Sequence, residues 1–150
     1  MSRLMLFPGA TKHESAIDNW MRRHPKSLAL VAEHWFSLMR ACGDDVRELL
    51  HDGQPTACIG DAAFAYVDAF SAHVNVGFYL GAHLPDPAGL LVGTGRFMRH
   101  VSLRPGERVD DERGVRNAPH GCGARQADEQ LVGVNVLRAV IHDQAVAAIR

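Results

Sequence analysis

A chain of 150 residues has the length of one domain of ordinary size. With 47% hydrophobic and 22% charged residues, its composition is that of a folded globular protein and excludes an extensively disordered chain. Sixteen Lys and Arg residues against seventeen Asp and Glu residues give a net charge of −1, so we expect neither nucleic acid nor an anionic membrane as a partner.

The cysteines and the start of the chain indicate the cellular compartment. Cys42, Cys58 and Cys122 are odd in number and include no C-x-x-C pair, so neither a disulfide framework nor a zinc knuckle is predicted. The apolar run at residues 4–7 is cut by Pro8 and is too short for a signal peptide, and no run approaches the roughly 18 apolar residues of a membrane-spanning helix. We therefore expect a cytoplasmic protein.

Two amphipathic helices are predicted first. Thr11 and Glu14 have the spacing of a capping box, and apolar residues at helical spacing follow them. Pro25 suits the first position of a second helix, because its fixed backbone angle is that of a helix. The apolar stripe of this second helix continues to Cys42, and Gly43 suits the left-handed residue that ends a helix.

A third, shorter helix is predicted over residues 46–53. Asp44 or Asp45 would cap its start, and Gly53 would end it. Its inward face would hold Val46, Leu49 and Leu50.

Strands are predicted from residue 56 onward, where short runs rich in Val, Phe, Tyr and Ala alternate between two faces. The predicted strands cover residues 56–60, 63–70, 73–80 and about 96–103. In the second of them, alternation places one set of residues on a single face, namely Phe64, Tyr66, Asp68 and Phe70. Between the third and fourth strands, Asp86 and Gly93 would cap and end a helical turn over residues 87–92.

The last forty residues differ in character. Residues 111–127 mix glycine, proline and charged residues without a period, which predicts an irregular loop. Residues 128–150 recover a helical stripe and predict a C-terminal helix that packs on the same domain. The sequence therefore predicts an α+β fold over residues 1–110, in which N-terminal helices pack on one face of a four- to five-stranded, mainly antiparallel sheet.

Four stretches of the sequence resemble a known family. They read D-V-R-E-L-L-H-D-G-Q-P-T-A-C-I-G-D, A-F-A-Y-V-D-A-F, H-V-N-V-G-F-Y-L-G and L-P-D-P-A-G-L-L-V-G-T-G-R-F-M-R-H-V-S-L. With the helices before them, they make residues 17–104 similar to the YdhG-like family, domain of unknown function 1801. The resemblance implies a frataxin-like α+β sandwich. Some relatives are labelled iron chaperones, and most have no assigned activity.

Two features depart from the family pattern. Phe97 stands where the family commonly has a small or basic residue. In addition, the residues after 110 lie outside the resemblance, because the insert at 111–127 separates the last predicted strand from any closing helix. Either the helix predicted over residues 134–149 takes the position of the family's closing helix, or this tail comes from a shifted reading frame.

A turn that contains glycine and arginine is the first candidate site. Glycines let backbone N–H groups approach a ligand, and guanidinium groups pair with carboxylate or phosphate, so this turn predicts an anion-binding rim. The alternative is a helix stop that leads into an edge strand whose charges oppose aggregation. The candidate residues are Gly93, Thr94, Gly95, Arg96, Arg99 and His100.

The acidic segment after the second helix is the second candidate. On the predicted third helix, its carboxylates and imidazole would lie on neighbouring turns of one side, and such ligands suit iron or manganese. The alternative is the solvated side of an amphipathic helix whose acids complement the helix dipole. The candidate metal ligands are Asp44, Asp45, Glu48, His51 and Asp52.

These patterns leave three hypotheses about function. The leading one is a non-enzymatic module, monomeric or homodimeric, that binds a small molecule or a metal ion, with iron implied only by the resemblance. The second is a small enzyme in which His73 and His100 converge with Tyr66 or Tyr79 in a cleft between sheet and helices. The third is an interaction protein that pairs through an edge of its sheet.

Overall fold

The computed structural model describes residues 5–84, 86, 89–106, 108–110 and 114–116. This part of the chain contains two helices, α1 (Ser15–Arg23) and α2 (Lys26–Arg40), and a short 3-10 turn, Gly81–His83. Its strands are β1 (Val46–His51), β2 (Gln54–Ile59), β3 (Ala62–Ala69), β4 (Val74–Phe78), β5 (Arg99–Leu103), β6 (Arg108–Asp110) and β7 (Gly114–Arg116).

The first five strands form one antiparallel sheet in the order β1-β2-β3-β4-β5, so each strand pairs with its neighbour in the sequence. β6 and β7 pair with each other in a separate two-stranded sheet. Helices α1 and α2 pack on one face of the five-stranded sheet, and the opposite face is called the outer face below. The predicted α+β architecture is thereby confirmed.

The core lies between the two helices and the sheet. Trp20 and Trp35 turn inward from the helices, and Trp35 is only 5% exposed. Alternate residues of the central strands pack against these side chains from the sheet, and Phe78 is fully buried. Burial of each such side chain contributes roughly 1.5–3 kcal/mol, so these residues hold the helices on the sheet.

The helix ends differ from the predicted caps. The N-cap of α1 is Glu14, whose Oε1 accepts a hydrogen bond from the Ala16 N–H at 3.0 Å, whereas Thr11 Oγ1 bonds to the His13 carbonyl. Pro25 is the N-cap of α2 rather than its first helical residue, and the helix runs from Lys26 to Arg40 rather than to Gly43. Neither α1 nor α2 has the length and apolarity needed to cross a membrane.

The third helix predicted over residues 46–53 is wrong, because this segment is strand β1 and its turn into β2. Asp52 and Gly53 both have positive φ, 49° and 75°, as a two-residue hairpin turn requires, and Asp-Gly is a preferred pair for that turn. Trp20 Nε1 donates to the Gly53 carbonyl at 2.8 Å and ties α1 to this hairpin. The Asp-Gly pair was therefore a hairpin signal rather than a helix stop.

A bulge in β3 changes which residues share a face. Ala63 pairs with Cys58 and Ala65 pairs with Ala57, which leaves Phe64 as an extra residue without a partner in β2. Phe64 and Ala65 therefore both face the helices, while Tyr66 faces outward. The prediction that Phe64 and Tyr66 share a face is wrong for this reason.

The segment of residues 5–11, called the N-terminal arm, crosses the outer face. It is held by hydrogen bonds from the Phe7 N–H to the Asp61 carbonyl at 2.7 Å and from the Ala63 N–H to the Met5 carbonyl at 2.9 Å. Phe7 and Ala10 of the arm pack in a second, smaller apolar cluster with Cys58, Ala63 and Tyr79. The arm thus covers one part of the outer face.

The segment before β5 and the residues after it also depart from the predictions. Residues 89–92 are not helical: Asp86 accepts hydrogen bonds from the Leu90 and Leu91 N–H groups, and Val92 pairs with His100. The predicted fourth strand, residues 96–103, begins only at Arg99. Residues 114–116 of the predicted loop form β7, while the rest of residues 111–127 and the helix predicted over 128–150 lie outside the described residues.

Candidate functional site

A nearly buried ion pair joins α2 to β1. Arg40 Nε donates to Glu48 Oε1 at 2.7 Å, and Arg40 Nη2 donates to Glu48 Oε2 at 2.8 Å, which is the two-point geometry that fixes a guanidinium in place. The Glu48 side chain is 2% exposed and that of Arg40 is 36% exposed. A charge buried to this degree needs a partner, and Arg40 supplies it.

Three elements position this pair. Arg40 lies in the last turn of α2, where its guanidinium rests 4.9 Å from the centre of the Phe36 ring. Glu48 lies on the helix-facing side of β1 and also accepts a hydrogen bond from the Glu14 N–H at 3.1 Å. The hydrogen bond to Glu48 raises the pKa of Arg40 above its ordinary value, so the guanidinium stays charged.

Arg40 and Glu48 line a cleft of about 270 Å³, called the Lys12 cleft below. Lys12 and His13 line its arm side, and Asp44 lines the α2–β1 connection, where its backbone carbonyl accepts a hydrogen bond from Lys12 Nζ at 3.3 Å. Among the described residues, Arg40 Nη1 makes no hydrogen bond. The cleft therefore holds an ammonium, an imidazole and a guanidinium with an uncommitted amino group.

A second cleft of about 250 Å³ lies between α1 and α2 and is called the helical cleft. Arg40 lines it as well, so the two clefts share this residue. Asp18 of α1 and Glu33 of α2 supply carboxylates to the lining. His13 of the Lys12 cleft contacts Asp18 of the helical cleft, with Nε2 and Oδ2 3.0 Å apart.

The predicted metal ligands are not brought together. Glu48 faces the helices and is paired with Arg40, whereas His51 faces outward, 4.3 Å from the Phe7 ring centre and 3.3 Å from Asp52. Asp44 lines the Lys12 cleft, and Asp45 lies in the turn before β1. No three His, Cys, Asp or Glu residues in the described part of the chain are placed to hold a metal ion. The helical arrangement assumed for these residues was wrong because β1 is a strand.

The predicted anion-binding residues lie in one loop and the strand after it, but the Arg99 guanidinium is turned to the backbone. Arg99 Nη1 donates to the carbonyls of Gly95 and Met98 at 2.5 and 2.6 Å, so its role here is to hold the loop. Arg96 is exposed and lies over the Phe97 ring, 5.3 Å from its centre. Gly93 has φ +131°, and Thr94 follows it in the same exposed turn. The backbone of His100 is paired with Val92, and its ring belongs to the outer face.

The histidine and tyrosine residues of the enzyme hypothesis lie on the outer face and not between sheet and helices. Strand pairing aligns Tyr66, Gly77 and His100 across β3, β4 and β5, and the Tyr66 ring lies over Gly77, where a Cβ atom would be 2.0 Å from the ring. Burial and the neighbouring His73 lower the pKa of His100. The space where the catalytic cleft was predicted is filled by core side chains of the described residues.

Tyr79 on the outer face yields a titration prediction. Burial raises its pKa to about 12, although its hydroxyl bonds to Thr56. A tyrosine ionises near pH ~10 when unfolded, so the stability from neutral Tyr79 is complete below about pH 10 and is lost between about pH 10 and about pH 12. Phenolate absorbance should show a component in this upper range that the Tyr79→Phe variant lacks. If the absorbance that the variant loses titrates near pH ~10 instead, the burial of this hydroxyl is contradicted.

The two described cysteines are not activated nucleophiles. Burial raises the pKa of the Cys42 thiol to about 11. Burial, and to a smaller degree the negative charge of Asp61, raises the pKa of the Cys58 thiol to about 12. Because the thiolate is the reactive form, both side chains remain unreactive thiols near neutral pH.

The sequence predicted Asp44 and Glu48 as site residues but not the three basic residues that share their cleft, Lys12, His13 and Arg40. One signal was available, because strand alternation places Glu48 on the same side as Val46 and a carboxylate on that side must find a cation.

No family model matches the chain, and comparisons with curated proteins and with solved structures find no significant match. The resemblance to the YdhG-like family therefore stays a prediction.

Proposed function

We propose that the protein is a non-enzymatic module that binds a small anionic ligand, a carboxylate or a phosphate, in the Lys12 cleft. The observation that carries the proposal is the fixed Arg40 guanidinium. Glu48 holds its Nε and Nη2, and its Nη1 has no hydrogen-bond partner among the described residues. A preorganised guanidinium loses little side-chain freedom when it pairs with an oxyanion.

The surroundings of Arg40 support an anion more than a metal ion. Lys12 brings an ammonium with three donors, only one of which the Asp44 carbonyl occupies. Of the two carboxylates that line the cleft, Glu48 already accepts hydrogen bonds from Arg40 and from the Glu14 N–H, so Asp44 alone would be left to bind a cation. The iron carriage implied by the YdhG-like resemblance thus has no support from this geometry and stays a prediction.

The residues that line the Lys12 cleft favour binding over catalysis. Among the described residues, the lining includes no hydroxyl or thiol side chain, and its Glu48 carboxylate is already committed to Arg40. The enzyme hypothesis would have to use the outer face instead, where His100 and Tyr66 lie in one cross-strand row. A binding module is therefore the function that the site supports best.

Both edges of the five-stranded sheet are partly paired within the chain, which disfavours the edge-pairing hypothesis. On β1, Thr11 and Glu48 exchange backbone hydrogen bonds of 2.9 and 2.6 Å. On β5, Val92 and His100 do the same at 2.8 and 2.9 Å. Short protected edges are a common means of preventing strand addition by another chain.

Titration with inorganic phosphate and with acetate, followed by amide and guanidinium NMR signals, tests the proposal. We expect shifts at Lys12, His13 and the Arg40 Nε–H, and about five- to tenfold weaker binding for Lys12→Gln, because one charged donor is lost. Lys26→Gln, at the exposed start of α2, is the matched control and should bind normally. Equal affinities of the two variants, or shifts confined to other parts of the molecule, would overturn the proposal.

A further inference from the structure

The helical cleft shares Arg40 with the Lys12 cleft, so the two clefts adjoin at this side chain. The two clefts differ in the charge that they present. Glu48 matches the charge of Arg40 in the shared wall. In the Lys12 cleft the ammonium of Lys12 and the carboxylate of Asp44 then offset each other, whereas the carboxylates of Asp18 and Glu33 give the helical cleft an excess of negative charge.

The two clefts, with their different charges, lie on either side of the Arg40 guanidinium. Beyond the dominant hydrogen bond to Glu48, the charges of Asp18 and Glu33, which line the same cleft as Arg40, also raise the pKa of Arg40. His13 pairs with Asp18 from the arm, whereas Glu33 makes no ion pair with any described residue. Glu33 is thus a carboxylate available to a cationic group of a ligand.

The helical cleft presents mainly polar groups to a ligand. Ile17, Met21 and Phe36 lie beneath it and are almost completely buried, and Ser37 adds a hydroxyl at the side. The carboxylates at the rim of the cleft would meet a cationic group of the ligand by charge-assisted hydrogen bonds.

We infer that the ligand is dipolar, an amino carboxylate whose anionic group lies at Lys12 and Arg40 and whose ammonium lies at Asp18 and Glu33. This inference rests on the proposed function, because it places the anionic end in the same cleft. It adds a second binding site and a ligand class. The ammonium would pair with the carboxylate of Glu33, and the anionic group would accept a hydrogen bond from Nη1 of Arg40.

Three probes of similar size separate the two ends of such a ligand. Propionate carries only the anionic group, propylamine carries only the cationic group, and β-alanine carries both. We expect the full chain to bind β-alanine more tightly than propionate, by about fivefold for one added charge contact at a partly exposed site. Calorimetry gives the affinities, and NMR shifts on α1, on α2 and at Lys12 locate each probe.

Glu33→Gln is the decisive variant, because Glu33 is exposed on α2 and its replacement leaves the core intact. It should remove the advantage of β-alanine over propionate and leave propionate binding unchanged. Asp61→Asn, at the exposed turn between β2 and β3, is the control and should change neither affinity.

The possible failures are distinguishable. If propionate binds at Lys12 and β-alanine binds no more tightly, the dipolar ligand is overturned and the anion site stands. If neither carboxylate binds, both the proposed function and this inference fail, whether or not propylamine binds the helical cleft. If β-alanine is preferred equally by Glu33→Gln and by the unchanged protein, the assignment of its ammonium to Glu33 is wrong.

Discussion

Replacement of Arg40 by methionine should lower the free energy of unfolding by about 3 kcal/mol, because it leaves the Glu48 carboxylate buried without its cation. Methionine keeps much of the aliphatic length of Arg40 and removes only the guanidinium, including its contact with the Phe36 ring, so the loss reports on the charged group more than on packing. Urea denaturation at neutral pH measures the change, with an unaltered slope if the unfolded state is unaffected.

Two further variants show whether the carboxylate is the cause. Adding Glu48→Gln to Arg40→Met should recover part of the loss, because an amide costs less to bury than an unpaired carboxylate and can still accept the Glu14 N–H. Arg47→Met, on the exposed outer side of β1, is the matched control and should change stability by less than about 0.5 kcal/mol. If Arg40→Met were as mild as this control, the pair would not hold α2 on β1.

The sequence predicted most of the sheet because alternation is a local property. Strands β2 to β5 follow from runs whose every second residue is apolar, as in Val74, Val76 and Phe78. Strand β1 was missed because it carries charges on both faces, so its period resembled that of an amphipathic helix. Its inward charge, Glu48, is explained only by Arg40 on another element, and no local pattern contains that contact.

The candidate site was predicted less well than the fold for the same reason. The Lys12 cleft is built from residues 12–13, the end of α2 with the connection after it, and β1, which meet only when the helices pack on the sheet. The sequence contributed Asp44 and Glu48 as acidic candidates but gave them the wrong chemistry, since their partners were unknown. Residue types at fixed spacing reveal sites that lie within one helix or strand, whereas the Lys12 cleft lies between three segments of the chain.

The bulge in β3 is a further feature that alternation cannot predict. Because it turns Phe64 toward the helices, it makes Phe64 important for stability. Replacement of Phe64 by alanine should lower the free energy of unfolding by about 3–5 kcal/mol, since its ring is fully buried and its loss leaves a cavity between sheet and helices. Thermal or urea denaturation of the variant measures this loss.

Phe70→Ala is the matched control, because simple alternation would place Phe70 on the same face as Phe64. In the structure Phe70 is 45% exposed and stacks on His73, with ring centres 4.7 Å apart, so its replacement should cost less than about 1 kcal/mol. Equal losses for the two variants would mean that β3 alternates without a bulge. In that case Tyr66 would not face outward, and the row that it forms with Gly77 and His100 would not exist.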